Sequence, residues 1–280
     1  MLIRLNWKEM GSKMEKVIVK IGGSIAGEGL ENVVNDVAAC VKDKKIVIVH
    51  GGGPQIDSLS KRLGKEPIYF TSPSGFKSRF TDEETRDIAL LAMAGYVNKK
   101  IVSLLGFRGV SAVGISGADG PTLIARRKDK LIVQDGGKKR VVRGDYSGIV
   151  EEVDGTLVNI LLSSGFTPVI APIALSHEGE LVNVDGDRAA AQLAKAIGAN
   201  MLISVTDVPG LMLDEQLVRK LTANEARRLI EEIGGGMKKK IFAALEAIRI
   251  GVPLVVVCSG LEENPITRSL KLESGTVITQ

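Results

Sequence analysis

The sequence predicts an α/β protein: a mostly parallel sheet covered by helices on both faces. Three observations carry that reading. Short apolar, β-branched runs recur along the 280 residues. Segments with helical spacing of apolar residues alternate with them. Several of the short runs end directly in glycine-rich or Gly/Asp turns.

Taken in order, VIVKI (17–21) is the first strand and stops at glycines. In 29–42, Leu30, Val33, Val34, Val37 and Val41 share a helix face. IVIV (46–49) is a buried strand, followed by HGGG and a helix opened by Pro54. Thr81 is expected to cap the next helix, with Glu84 completing a capping box. That helix should run to about Leu105, with Ile88, Leu91, Ile101 and Leu105 near one face. SAVGIS (111–116) is another strand, and a hairpin region spans 122–150. A helix at 154–164 leads to PVIAP (168–172). After a turn at 176–179, Leu181 and Val182 lead into NVDGD and the helix DRAAAQLAKAIG. MLISV (201–205) ends at TDVPG, a helix begins near Thr222, and GGGM opens another that runs through Ile250. PLVVV (253–257) is the last clear buried strand. No internal repeat or low-complexity linker interrupts the pattern. In such sheets ligands bind beyond the carboxyl ends of the strands, so KIGGS, VHGGGP, NVDGD and SVTDVPG should converge on one crevice.

Composition is that of a globular protein, 44% hydrophobic and 25% charged. No apolar run approaches the roughly 18 to 20 residues of a membrane helix. The start, MLIRLNWKEMGSKMEK, lacks the apolar core and cleavage site of a secretory signal. Residues 1–13 are read as an extension preceding one domain over 14–280. Cys40 and Cys258 fit neither a disulfide framework nor a zinc site, so buried free thiols in a reducing cytoplasm are expected. His50 and His177 lie far apart, and no metal-binding set stands out. Net charge is +4, but residues 126–143 (RRKDKLIVQDGGKKRVVR) hold eight basic and two acidic residues, leaving the rest at −2. This basic segment reads as a solvated hairpin turning at Gly136 and Gly137. It has no aromatics for base stacking, so an acidic protein or anionic substrate fits it better than nucleic acid.

GxxxxGK[ST] is absent, and GEGLEN (27–32) has Asn32 where a dinucleotide loop needs glycine. Instead, Gly22, Gly23 and Ser24 follow Lys20, and Gly51, Gly52 and Gly53 precede Pro54. Such loops let backbone N–H groups approach an anion, though tight turns use glycine too. Lys20 closes an apolar strand, where an unpaired ammonium would be costly to bury. GGGMKKK (234–240) places cations at a helix start, against the dipole, unless an anion neutralises them. Asp187 suits a helix N-cap. SPSGFKSRFTDEE (72–84) presents Lys77 and Arg79 just before a helix start.

KIGGS, VHGGG, R-F-T-D, NVDGD, TDVPG and GGM-x-x-K, in this order, resemble the motifs of the amino acid kinase family, acetylglutamate kinase branch, over residues 16–280. The resemblance implies a three-layer α/β/α open sheet, a homodimer core, and ATP-dependent phosphorylation of a carboxylate, with Mg²⁺ carried by the nucleotide. By position it implies Lys20 and Lys240 as transition-state stabilisers organised by Asp187. Gly52, Gly53, Arg79 and Asn183 would hold the acceptor. Gly22, Gly23, Ser24, Thr206, Asp207 and Gly210 would serve the ATP phosphates and nucleotide. Residues 14–178 would form the acceptor lobe and 179–280 the nucleotide lobe. SPSGFKSRFTD, Asp185–Gly186 and the basic hairpin are similar to the members acting on aminoadipate or glutamate attached to an acidic amino-group carrier protein, LysW. The alternatives are a kinase of free N-acetylglutamate, a non-catalytic nucleotide or amino-acid sensor, and a nucleic-acid binder.

Overall fold

The computed structural model describes residues 15–73, 77–135, 138–230, 233 and 235–280. The N-terminal extension, the tip of SPSGFKSRFTDEE and the Gly-Gly turn of the basic hairpin lie outside the described residues.

The chain begins with β1 (Lys16–Ile21), α1 (Leu30–Cys40), β2 (Lys45–His50) and α2 (Gly53–Arg62). Two short strands follow, β3 (Tyr69–Thr71) and β4 (Lys77–Arg79). A long helical stretch consists of α3 (Glu83–Leu90), a π-helical turn (Leu91–Val97) and α4 (Asn98–Phe107). Then come β5 (Ala112–Ser116), β6 (Leu123–Arg127), β7 (Lys130–Asp135), β8 (Lys138–Arg143), β9 (Ser147–Val153) and α5 (Thr156–Ser163). β10 (Thr167–Ala171), β11 (Ile173–Ser176) and β12 (Leu181–Val184) lead to α6 (Gly186–Ile197) and β13 (Met201–Thr206). The chain ends with β14 (Met212–Leu213), β15 (Gln216–Leu217), β16 (Lys220–Thr222), α7 (Ala223–Leu229), α8 (Gly235–Arg249), β17 (Leu254–Ser259), α9 (Pro265–Leu270) and β18 (Thr276–Thr279).

Eight strands form the main sheet in the order β16-β18-β17-β13-β1-β2-β10-β5. All neighbours run parallel except β17 and β18. Strand alternation divides the core into two layers. Val17, Val19 and Ile21 of β1 pack with Leu30, Val33 and Val37 of α1 and Ile101 and Leu105 of α4. Ile18 faces the other way, with Ala190 and Ala194 of α6 and Ile241 and Ala244 of α8. Lys20 continues the Ile18 row, so its side chain belongs to the α6/α8 side. A small closed barrel, β11-β12-β9-β6, and a four-stranded sheet, β4-β3-β7-β8, stand apart from the main sheet.

Three local expectations are corrected. Asp82, not Thr81, caps α3: its carboxylate accepts from the Thr85 N–H at 2.9 Å. Glu84 pairs with Lys65 instead, and Thr81 donates its backbone N–H to the buried Asp145 at 3.0 Å. Asp185, not Asp187, caps α6, accepting from the N–H groups of Asp187 and Arg188 at 3.0 Å each. Leu91 does not join the buried face but is 59% exposed. The buried stripe runs through Thr85, Ile88, Ala89, Ala92 and Met93, which leaves Leu91 off that face. The stretch Glu83–Phe107 is also long and apolar enough, by length and composition, to cross a membrane, contrary to the sequence reading. Here Ile88, Ala92, Val97, Ile101 and Leu105 are buried inside the protein.

Candidate active site

The carboxyl ends of β13, β1 and β2 lie side by side, and their loops interlock. Gly22 N–H donates to Val205 O at 2.9 Å and Gly51 N–H to Ile21 O at 2.8 Å. A Cβ on Gly23 would lie 3.0 Å from Gly53 N and 3.3 Å from Gly52 N. Backbone meets backbone here, and a side chain at Gly23 would force the facing loop to give way by a few tenths of an ångström. The two glycine loops noted in the sequence are therefore one structure.

Lys20 reaches into this region with its side chain 7% exposed, and its Nζ lies 2.7 Å from Asp187 Oδ1. Gly186 packs alongside it: a Cβ there would make an ordinary 3.5 Å contact with Lys20 Cε. Because Asp185 takes the cap, the Asp187 carboxylate is left for the lysine. Lys240, from the second turn of α8, joins Lys20, Asp187 and Ser204 around a small cavity. Burial pushes the Asp187 carboxyl up, but Lys20 and then Lys240 overcome it and hold its pKa down to about 2. Burial, reinforced by Lys20, lowers the pKa of Lys240, while Asp187, Asp207 and Asp185 oppose that shift. Two cations that repel each other thus lie close to the one Asp187 carboxylate, an arrangement that would welcome further negative charge.

On the β13 side, Asp207 accepts from Thr206 Oγ1 at 3.0 Å. Burial raises its pKa, but hydrogen bonds from Thr206 and Ser24, with the Lys240 charge, bring it below the usual range. Lys20, Ser24, Asp187, Thr206, Asp207 and Lys240 therefore form one connected cluster. Gly210 lies further along the turn, against β18, where a Cβ would fall 2.6 Å from Thr276 Oγ1.

On the α2 side, Arg79 lies beside Gly53 and donates from Nη2 to Gly53 O at 2.9 Å. Its Nε and Nη2 also donate to Asp57 Oδ1 at 3.1 and 2.9 Å, and Nη2 to the Tyr69 hydroxyl at 2.8 Å. Tyr69 in turn donates to Asp57 Oδ2 at 2.7 Å. Asp57 and Tyr69 escaped the sequence reading. The signal was the position of Asp57, four residues after Gly53 on the same helix. Asn183 sits on β12, its backbone N–H donating to Tyr146 O at 2.9 Å. Among the described residues, no hydrogen bond or ion pair links its side chain to Gly52, Gly53 or Arg79. No group of three or more His, Cys, Asp or Glu suited to a metal ion occurs among the described residues.

Residues 15–259 match the family model described as "Amino acid kinase family". A relative from Nitrosopumilus maritimus (strain SCM1) is 42% identical over 263 residues, covering 94% of this chain and 98% of that protein. The [LysW]-aminoadipate/[LysW]-glutamate kinase of Saccharolobus islandicus (strain Y.N.15.51 / Yellowstone #2) is 40% identical over 264 residues, with coverage of 94% and 98%. Among solved structures, N-acetylglutamate synthase from Neisseria gonorrhoeae superposes with a TM-score of 0.79 at 25% identity. That match covers 95% of this chain, which spans 59% of the synthase's length. Carbamate kinase from Giardia lamblia shares the fold, with a TM-score of 0.68, 17% identity and coverage of 95% and 98%. With the family model matching most of its length and the lysine–aspartate cluster seated beside its glycine loops, the chain belongs to the amino acid kinase family.

Proposed function

We propose that this protein uses ATP with Mg²⁺ to phosphorylate the side-chain carboxylate of aminoadipate, glutamate or both, attached by the amino group to the acidic carrier protein LysW. The observation that carries the chemistry is the Lys20–Asp187–Lys240 cluster at the end of β1. Phosphoryl transfer requires alignment and electrostatic stabilisation, with little covalent work by the protein. An anionic acceptor must meet an anionic phosphate. Lys20 and Lys240 offset that repulsion, Asp187 holds them in register, and N–H groups of the glycine loops take the developing charge. A carboxylate acceptor has no proton to lose, so no general base is needed. Asp187 and Asp207 already have partners, which fits a magnesium ion held chiefly by the nucleotide's phosphates. Ser24, Thr206 and Asp207 line the nucleotide side, and Arg79, steadied by Asp57 and Tyr69, lines the acceptor side together with Asn183. Residues 14–178 form the acceptor lobe and 179–280 the nucleotide lobe.

A specific feature favours a carrier-bound acceptor over free N-acetylglutamate. Arg79 pairs with Tyr69 and Lys77 with Thr71, Thr71 pairs with Gln134, and Lys130, Ile132 and Gln134 pair with Arg143, Val141 and Lys139. Paired residues share a face. One side of the β4-β3-β7-β8 sheet therefore runs from the acceptor residue Arg79 to an exposed Ile132–Val141 pair. Among the sheet's described residues it presents Lys77, Lys130, Lys139 and Arg143 and no carboxylate; at its Arg79 end the Asp57 carboxylate of α2 is taken up by Arg79 and Tyr69. The opposite side buries Val133. SPSGFKSRFTDEE and the basic hairpin, separate in sequence, thus contribute to one cationic surface leading to the site. Arg126, in contrast, is on β6 and paired with Glu151 at 2.7 Å. Exposed Leu91, Tyr96 and Phe107 on the α3–α4 stretch support a homodimer. The two unpaired, buried cysteines accord with a cytoplasmic enzyme.

The test is an acceptor panel with ATP and Mg²⁺, following ADP release. Turnover is expected with aminoadipoyl- or glutamyl-carrier. Turnover of free N-acetylglutamate alone would replace this reading with the acetylglutamate kinase one.

A further inference from the structure

His50 ends β2 directly before the glycine loop, and the mechanism above gives it no part. It is completely buried. Its Nδ1 lies 2.9 Å from the carbonyl oxygen of Gly51, and its Nε2 lies 3.2 Å from Asn98 Nδ2. A carbonyl can only accept, so Nδ1 carries the proton and donates, and Nε2 accepts from the Asn98 amide. Asn98, also buried, shares its two amide hydrogens among His50 Nε2, Val169 O at 2.9 Å and Ile115 O at 3.2 Å. The ring is thereby braced against β10 and β5. Burial, with the nearby Lys20 charge, lowers the His50 pKa to about 4, so the imidazole is neutral at physiological pH.

The Gly51 carbonyl and the Gly52 N–H belong to one planar peptide unit and point in opposite directions. Its neighbours on either side are held, Gly51 N–H donating to Ile21 O at 2.8 Å and Gly52 O accepting from Ile56 N–H at 2.9 Å, but with glycine on both sides no side chain of its own fixes this unit's rotation. No side chain at position 52 can restrain it: a Cβ there would fall 2.7 Å from Met93 Cγ. Among the described residues, the bond from His50 is the side-chain hydrogen bond made to this peptide's carbonyl.

We propose that His50 is a positioning residue: through its Nδ1–H bond to Gly51 O it fixes the direction of the Gly52 N–H, a donor to the reacting oxyanion. This rests on the reading of Gly52 as an acceptor-side donor. His50 touches no reacting atom and acts only through the peptide it orients.

The test compares His50→Asn, whose amide nitrogen can occupy the place of Nδ1, with His50→Gln, whose amide falls near Nε2. His50→Asn should keep kcat within a few-fold of wild type. His50→Gln should lose roughly 10- to 100-fold in kcat, the scale of an ångström-level misplacement, with ATP affinity unchanged. Imidazole ¹⁵N spectra of the wild-type protein should show Nδ1 protonated and Nε2 bare, a readout independent of activity or variant folding. Equal kcat in the two folded variants, or an Nε2-protonated ring, overturns the proposal. If the wild type turns over no acceptor, the functional reading falls separately, and the ring tautomer still decides whether His50 holds this peptide.

Discussion

Replacing Asp187 with Asn tests the centre of the site most directly. The change removes the charge between Lys20 and Lys240 with little change in size. The carboxyl pKa is held near 2, against an ordinary value of 3.8. A group whose pKa is depressed on folding stabilises the native state above its unfolded pKa and loses that contribution as pH falls through the folded value. The difference corresponds to about 2 kcal/mol at pH 7, about half of that at pH 3, and little near pH 2. Leaving Lys20 without its partner raises the loss at neutral pH toward the ~3 to 5 kcal/mol of a broken buried pair. Urea unfolding of wild type and Asp187→Asn at pH 7 and pH 3 measures both. The expected result is a destabilisation at pH 7 that shrinks by about 1 kcal/mol at pH 3. A stability difference independent of pH would show that Asp187 is not a depressed carboxylate bound to lysines, and would refute the arrangement on which the mechanism depends.

Lys20→Ala should cut turnover on the order of 100- to 1,000-fold, as for loss of one transition-state donor, while isothermal titration still detects ATP; near-normal turnover would remove it from the mechanism. Reversing Lys130, Lys139 and Arg143 to Glu should slow use of the carrier-bound acceptor by roughly 10- to 1,000-fold at low salt and leave ATP binding unchanged; carrier kinetics that do not move would rule out this docking face. Asp57→Asn should loosen Arg79 and raise the KM for the acceptor several-fold with the KM for ATP preserved, and an unchanged acceptor KM would free Arg79 from that dependence. Gly23→Ala should impair both substrates together, because its methyl group would press on the backbone nitrogens of Gly52 and Gly53.

The main sheet was legible because its central strands are buried on both faces and read as continuous apolar runs. β18 was not. Its TVIT begins and ends with threonine and runs antiparallel to β17, outside the strand–helix alternation that located the others. The π turn had no local signal either. LAMAGYV fits an ordinary helix, and only packing against the glycine loop, where Met93 meets Gly52, distinguishes it. The cap of α6 was misplaced by two residues because NVDGD offers two aspartates. β12 stops at Val184, so the first aspartate after the strand caps the helix.

That two-residue difference matters for mechanism. Had Asp187 been the cap, its carboxylate would have been occupied by backbone N–H groups, and Lys20 would have lacked its buried counter-charge. NVDGD assigns the two demands to two residues: Asp185 satisfies the helix start, and Asp187, two residues on, faces Lys20 at 2.7 Å. A substitution test separates the roles. Asp185→Ala should cost about 1 kcal/mol as a lost cap, with only a modest effect on the chemical step, whereas Asp187→Asn should affect both. Equal losses of kcat in the two variants would mean that Asp185 also belongs to the reacting centre, and the division of labour inferred from the capping geometry would have to be abandoned.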